Sequence, residues 1–137
     1  MSESDEAVVR RFYEEMNNDR KNDIAVELFS SDHEMHDPQV PGGSGPQGMV
    51  DAISVYQNGV NGHWNIEEIF SSGDRVVVRW TGTGKHVGEV NGIPPTGNDV
   101  RVDAISIHRM GDGKIAETWQ VWDTLTFLRQ LGVVPAS

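Results

Sequence analysis

The chain has 137 residues, 21 of them acidic against 11 basic for a formal charge of −10, and no cysteine. That length suits one domain able to hold a core and a cavity. Without cysteine there are no disulfides, thiolate metal sites or cysteine nucleophiles, and a strongly negative chain argues against nucleic acid, whose phosphates need clustered Lys and Arg.

No run approaches the ~18 apolar residues of a membrane span. The acidic start Met1-Ser-Glu-Ser-Asp-Glu lacks the apolar segment of a signal peptide. The expectation is a soluble cytoplasmic protein with neither membrane nor nucleic acid as partner.

Val9, Phe12, Tyr13 and Met16 fall at i, i+3, i+4 and i+7 with charges between, which predicts a helix over residues 4–18. A short second helix is expected at about 23–29, burying Ile24, Leu28 and Phe29. His33-Glu-Met-His36-Asp37-Pro38 reads as extended and is stopped by its proline. After a Pro/Gly loop at 41–45, Ser44 and Gln47 resemble a capping box and Pro46 suits the first turn of a third helix. Met49, Ile53 and Tyr56 share one face of that helix.

From Gly62 the periodicity becomes extended. Residues 63–70, 75–83, 98–109 and 115–122 read as strands, with hairpin turns at 71–74 and 110–113 and a two-proline loop at 88–97. Asp123 then joins the last strand to a short apolar helix, residues 124–131. Helices followed by an antiparallel meander specify an α+β fold over the single domain 1–137, with the helices on one face of the sheet.

Asp123 draws attention because Trp119, Trp122 and Phe127 surround it in sequence. As the N-cap of the last helix it would have a lowered pKa; as a desolvated acid/base it would have a raised one. Local chemistry alone favours the cap, since caps are common and catalytic acids rare. Strand alternation puts His108 on one face with Ala104 and Ser106, although contact with Asp123 does not follow from it.

His33, His36 and Asp37 invite a metal reading. In a strand, however, an i, i+3 spacing sends the two histidines to opposite faces, and no metal is expected. Gly82-Thr-Gly84-Lys85 is not a phosphate loop, because no helix follows it. There is no Gly-x-Ser-x-Gly elbow.

Several stretches resemble the SnoaL-like polyketide cyclase (ester cyclase) family. They are Arg79-Trp-Thr-Gly-Thr-Gly-Lys-His-Val-Gly-Glu, Gly92-Ile-Pro-Pro-Thr-Gly97, Gly113-Lys-Ile-Ala-Glu-Thr-Trp and Asp123 through Gln130-Leu-Gly132, with His36-Asp37-Pro38 and Gly45-Pro46 upstream. The resemblance implies the nuclear transport factor 2-like cone, in which N-terminal helices pack on a curved, mainly antiparallel sheet and enclose a pocket. It also implies a homodimer or higher homo-oligomer assembled through the sheet.

The activity implied is intramolecular aldol-type ring closure, or a related proton transfer, on a small hydrophobic carbonyl compound without cofactor or metal. By position Asp123 matches the acid/base and His108 a pocket histidine. The candidate pocket adds His36, Asp37, Phe12, Tyr56, Trp80 and Trp119. Two rival chemistries belong to the same fold. An isomerase of the ketosteroid type would use Asp37, but its oxyanion-stabilising acid falls on Ile105. A limonene epoxide hydrolase needs an acid where Val77 stands. A non-catalytic domain binding a small apolar ligand, or a purely oligomeric scaffold, is the other class of reading.

Overall fold

The computed structural model describes residues 2–38 and 43–134, so residues 41 and 42 of the expected Pro/Gly loop lie outside the described residues. The first helix starts as α1 (Ser2–Arg11) and continues as a π-helical stretch, Phe12–Asn18. The expected helix is therefore present, but its second half is wound more widely. That winding buries Phe12, Tyr13, Met16 and Asn17 together. Turns of this kind are rare and concentrate at functional sites.

A 3₁₀ turn, Asn22–Ile24, and a one-turn α2 (Ala25–Leu28) replace the expected helix to Phe29. Phe29 is already extended, at φ −113° and ψ 139°, and opens β1 (Phe29–His36). Helix α3 spans Gly45–Gly59 with Pro46 in its first turn, but the capping box is not formed. Ser44 makes no side-chain cap bond, and the Gln47 amide donates to Asp51 Oδ1 at 2.8 Å. The partner one turn along the same helix wins over the helix end.

Four strands follow: β2 (His63–Ser72), β3 (Arg75–Lys85), β4 (Asp99–Gly111) and β5 (Lys114–Trp122), closed by α4 (Thr124–Gln130). The sheet order is β1-β5-β4-β3-β2, antiparallel throughout except for the parallel pair β1 and β5. At the β4–β5 hairpin Asp112 and Gly113 take φ of 53° and 77°, the positive values that such a tight turn requires. Strand β3 passes so close to the end of α3 that a Cβ on Gly84 would collide with the Val60 carbonyl, which accepts the Lys85 N–H at 2.7 Å. Close packing, rather than phosphate, explains that glycine.

Register decides which side chains face the helices. Val76 pairs with His108 and His108 with Thr118; Val78 pairs with Ser106 and Ser106 with Gln120. All of these point inward. The alternate row, Phe70, Val77, Ile107 and Trp119, forms the outer face with Arg79, Ile105 and Val121 beside it. The main core joins Val9, Met16, Leu28, Phe29, Val76, Val78 and Ile115, each at most 1% exposed. Burying each such side chain contributes about 1.5–3 kcal/mol. A smaller cluster of Val60, Val90, Val100, Phe127 and Leu131 lies at the other end. No helix among the described residues is long and apolar enough to cross a membrane.

Candidate functional site

Side chains from both clusters line a cavity of about 70 Å³ between the helices and the concave face of the sheet. The π-helical stretch contributes Phe12, Tyr13 and Asn17, and α3 contributes Met49, Ile53 and Tyr56. The sheet adds Trp64, Trp80, Gln120 and Trp122, and α4 adds Phe127. Tyr56, Trp122 and Phe127 meet edge-on in pairs, with ring centroids 5.4 to 6.2 Å apart. Of the six residues expected to form the pocket, Phe12, Tyr56 and Trp80 line this cavity, and His36, Asp37 and Trp119 do not.

Two polar chains run behind the aromatic lining. In the first, Trp80 Nε1 donates to Ser106 Oγ at 3.0 Å and Ser106 donates to Gln120 Oε1 at 2.9 Å. The Gln120 amide then donates to Asp37 Oδ2 at 2.9 Å. Asp37 is only 7% exposed, and its charge helps to raise the pKa of Tyr56, although burial is the larger cause. Asp37 is thus the carboxylate joined to the cavity wall.

In the second chain the Tyr13 hydroxyl lies 2.9 Å from His108 Nε2, and His108 Nδ1 lies 2.9 Å from Thr118 Oγ1. Thr118 Oγ1 is also 2.9 Å from His33 Nε2. One hydroxyl cannot donate to both rings, so protons along this chain all run one way or all run the other. Burial holds His108 down at about 3, with His33 a smaller cause, and holds His33 down at about 4 against the pull of Glu117. Both rings are neutral near pH 7. Burial also raises the Tyr13 phenol, which stays protonated within hydrogen-bonding reach of Ser106 and so links the two chains. His108 does not itself line the cavity; its effect there passes through Tyr13.

Asp123 sits differently. Its Oδ1 accepts the Thr126 N–H at 3.1 Å and its Oδ2 accepts the Thr126 hydroxyl at 2.6 Å, which makes it the N-cap of α4. The carboxylate is exposed and does not line the cavity. The Thr126 hydroxyl, then its amide, hold the Asp123 pKa below the usual carboxylate value. Asp123 and His108 are not brought together. His108 pairs with Thr118, five residues along β5, roughly 16 Å away at strand rise.

His36 and Trp119 require correction as pocket residues: both lie on the outer face. Their rings stack with centroids 5.4 Å apart, and the Arg75 guanidinium lies 4.8 Å from the Trp119 ring centre. The cause is strand alternation, which turns Trp119 out while Thr118, Gln120 and Trp122 turn in. The same rule separates buried His33 from exposed His36. On the outer face Glu34, His36 and Glu117 bring three potential ligand atoms within 4.8 Å of one another. Glu117, however, already pairs with His36 at 2.7 Å and with Arg109 at 3.1 Å. The hydrogen bond to His36 and the ion pair with Arg109 account for the cluster.

Sequence reasoning missed Tyr13, Asn17, Ser106 and Gln120. Counting back by twos from Trp122 would have found Gln120, and register would then have given Ser106. Asn17 had no such signal, because it depends on the change of helical winding at Phe12.

The family model for SnoaL-like polyketide cyclases matches residues 7–131. Aklanonic acid methyl ester cyclase DnrD of Streptomyces peucetius is 29% identical over 131 residues, covering 91% of this chain and 88% of that one. DauD of Streptomyces sp. (strain C5), with the same activity in its name, is also 29% identical and is covered over 80% of its length. Among solved structures, TsrD from Streptomyces laurentii superposes with a TM-score of 0.85 at 26% identity, covering 96% of both chains.

Proposed function

Because this chain belongs to the SnoaL-like polyketide cyclase family, we propose that it acts on a hydrophobic carbonyl compound held in the cavity of its cone. The reaction that suits the site is intramolecular aldol-type ring closure or a related proton transfer. A base removes a proton α to two carbonyls, the substrate delocalises the enolate, and its carbon adds to a ketone in the same molecule. The proton then goes to the new alkoxide, so the product is an isomer and needs no oxidant or reductant. An aromatic, water-excluding wall favours the charge-delocalised enolate over bulk-water side reactions.

We assign the proton transfer to Asp37 rather than to Asp123. The observation that carries this is the bond from Gln120, a cavity-lining side chain, to Asp37 Oδ2 at 2.9 Å. Asp123 supports the opposite reading of itself, since an exposed, doubly bonded cap with a lowered pKa is a weak base facing solvent. Tyr13, backed by His108, is the hydroxyl available to a developing oxyanion. Ile105 is exposed on the outer face, so the second acid of a ketosteroid-type isomerase has no counterpart in the cavity.

The experiment compares Asp37→Asn with Asp123→Asn on a polyketide methyl ester carrying a 1,3-dicarbonyl, following both turnover and exchange of the acidic C–H in deuterium oxide. The expected result is a fall of about 10²–10⁴-fold in Asp37→Asn and rates within a few-fold of the parent in Asp123→Asn. The reverse pattern, with the loss in kcat and in C–H exchange rather than in KM, would return the role to Asp123. One observation favours a second reading, ligand binding without turnover. The cavity lining contains no Asp, Glu, Lys or Arg side chain. Saturable binding of the ester with no exchange above the buffer rate would establish that reading.

A further inference from the structure

One group lining the cavity has no role so far. Asn17 is 0% exposed, and neither its Nδ2 nor its Oδ1 has a hydrogen-bond partner. Native proteins satisfy more than about nine in ten buried polar groups, so a fully unpaired amide calls for a reason. The backbone beneath it is held firmly. Gln57 Nε2 donates to the carbonyls of Met16 and Asn17 at 3.2 and 3.1 Å, and the Arg20 guanidinium also donates to the Asn17 carbonyl. Gln57 is itself fixed by Asn22, whose amide donates to its Oε1 at 2.9 Å. Asn17 therefore carries a donor and an acceptor, side by side in one plane, from a firmly held backbone into a wall that is otherwise mostly apolar.

We propose that Asn17 is the polar anchor of the cavity and sets its specificity for a flat aromatic ligand presenting an acceptor and a donor next to each other. A carboxamide, or a carbonyl with an adjacent hydroxyl, has that pattern; it would pair with Oδ1 and Nδ2 at once. Tyr13, Trp64 and Trp80 supply flat apolar surfaces in the same lining. The π-helical winding acquires a purpose in this scheme, because it lets Asn17 share the interior with Phe12, Tyr13 and Met16. This inference rests on the cavity being the ligand site, but not on turnover or on Asp37.

The test uses three compounds of one shape: 2-naphthamide, which offers donor and acceptor, 2-acetonaphthone, an acceptor only, and 2-ethylnaphthalene, which offers neither. Binding to the full chain is followed by titration calorimetry and thermal shift. The parent should prefer 2-naphthamide to 2-ethylnaphthalene by on the order of tenfold to hundredfold, with 2-acetonaphthone between. Asn17→Leu should abolish that preference while keeping or strengthening 2-ethylnaphthalene binding. It should also raise the thermal midpoint, since it removes an unpaired amide from the interior. The further variant Asn17→Asp should lose the acceptor-only ligand.

An unchanged preference in Asn17→Leu would overturn the role of Asn17 and leave the cavity as the ligand site. Ala52→Trp, which fills the cavity, separates the two ideas. If it fails to weaken binding, or if no naphthalene binds the parent, the cavity reading and this proposal fall together.

Discussion

Acidification gives the sharpest test of the buried chain His33–Thr118–His108–Tyr13. Burial, with His33 a smaller cause, holds His108 at a folded pKa of about 3 against the ordinary 6.5 of a free imidazole, and no carboxylate opposes that shift. Phe12, Tyr13, Thr118 and His33 are the groups that face it. Because the folded value is the lower one, the unfolded chain binds a proton that the native state refuses. Stability is therefore fully present above pH 6.5 and falls as the pH drops from 6.5 toward 3. Each such group costs about 1.4 kcal/mol per pH unit inside its window, so His108 alone removes on the order of 2–3 kcal/mol by pH 4.5. His33, held at about 4, acts in the same direction. Against a typical total of about 5–15 kcal/mol this is a large fraction.

The assay is urea unfolding followed by tryptophan fluorescence at pH 7.0, 6.0, 5.0 and 4.5, for the parent and for His108→Gln. Glutamine keeps a donor and an acceptor for Tyr13 and Thr118 but does not titrate. The parent should lose stability steeply below pH 6.5, and His108→Gln should lose about 1.4 kcal/mol less per pH unit. Glu117 and Asp123, both held below their usual carboxylate values, begin to cost stability only at the acid end of this range and do so alike in the two proteins. Parallel profiles for the two proteins, or a flat parent profile between pH 6.5 and 4.5, would refute the assignment of His108 as a neutral buried ring.

Two further outcomes are expected. Asp123→Ala should lower stability by about 1 kcal/mol, through loss of the α4 cap, with the deficit shrinking when Thr126 is also replaced; equal stability in chemical denaturation would show that the cap contributes nothing. We also propose a homodimer through the outer sheet face, where Ile105, Ile107 and Val121 are 47%, 37% and 62% exposed beside Trp119. Ile107→Glu should convert a dimer to a monomer in light scattering coupled to size exclusion, and a parent that elutes as a monomer at all concentrations would remove the idea.

The sequence made strands β2 to β5 legible because each signal there was local, whereas the parallel docking of β1 on β5 has no local signal. The Asp112-Gly113 turn and the two-residue alternation of β4 and β5 needed no tertiary information. The helices were legible in position but not in winding, since nothing in Phe12–Asn18 marks the passage from α to π. The site was the least legible part, for a reason that Trp119 and Trp122 make plain. Both are aromatic and both stand near Asp123, yet a strand sends them to opposite faces, and nearness in sequence was mistaken for nearness in space. Asp37 and Gln120 show the converse. They are 83 positions apart and 2.9 Å from each other, a contact created only by the parallel pairing of β1 with β5.

Asp123 can still matter to activity without touching a substrate. It caps α4, the helix that holds Phe127 against Trp122 at a centroid distance of 5.4 Å, and these rings help to close a cavity of only about 70 Å³. Pockets for drug-sized ligands run to about 300–1,000 Å³, so a multi-ring substrate enters only if side chains or α4 give way. A loosened α4 would therefore alter substrate affinity, whereas loss of a true base would lower kcat at unchanged affinity. Lost turnover in an Asp123 variant is thus ambiguous by itself. The decisive measurement is where the loss falls: a KM effect accompanied by a stability deficit assigns Asp123 to the wall of the site, and a kcat effect in a fully stable protein assigns it to the chemistry.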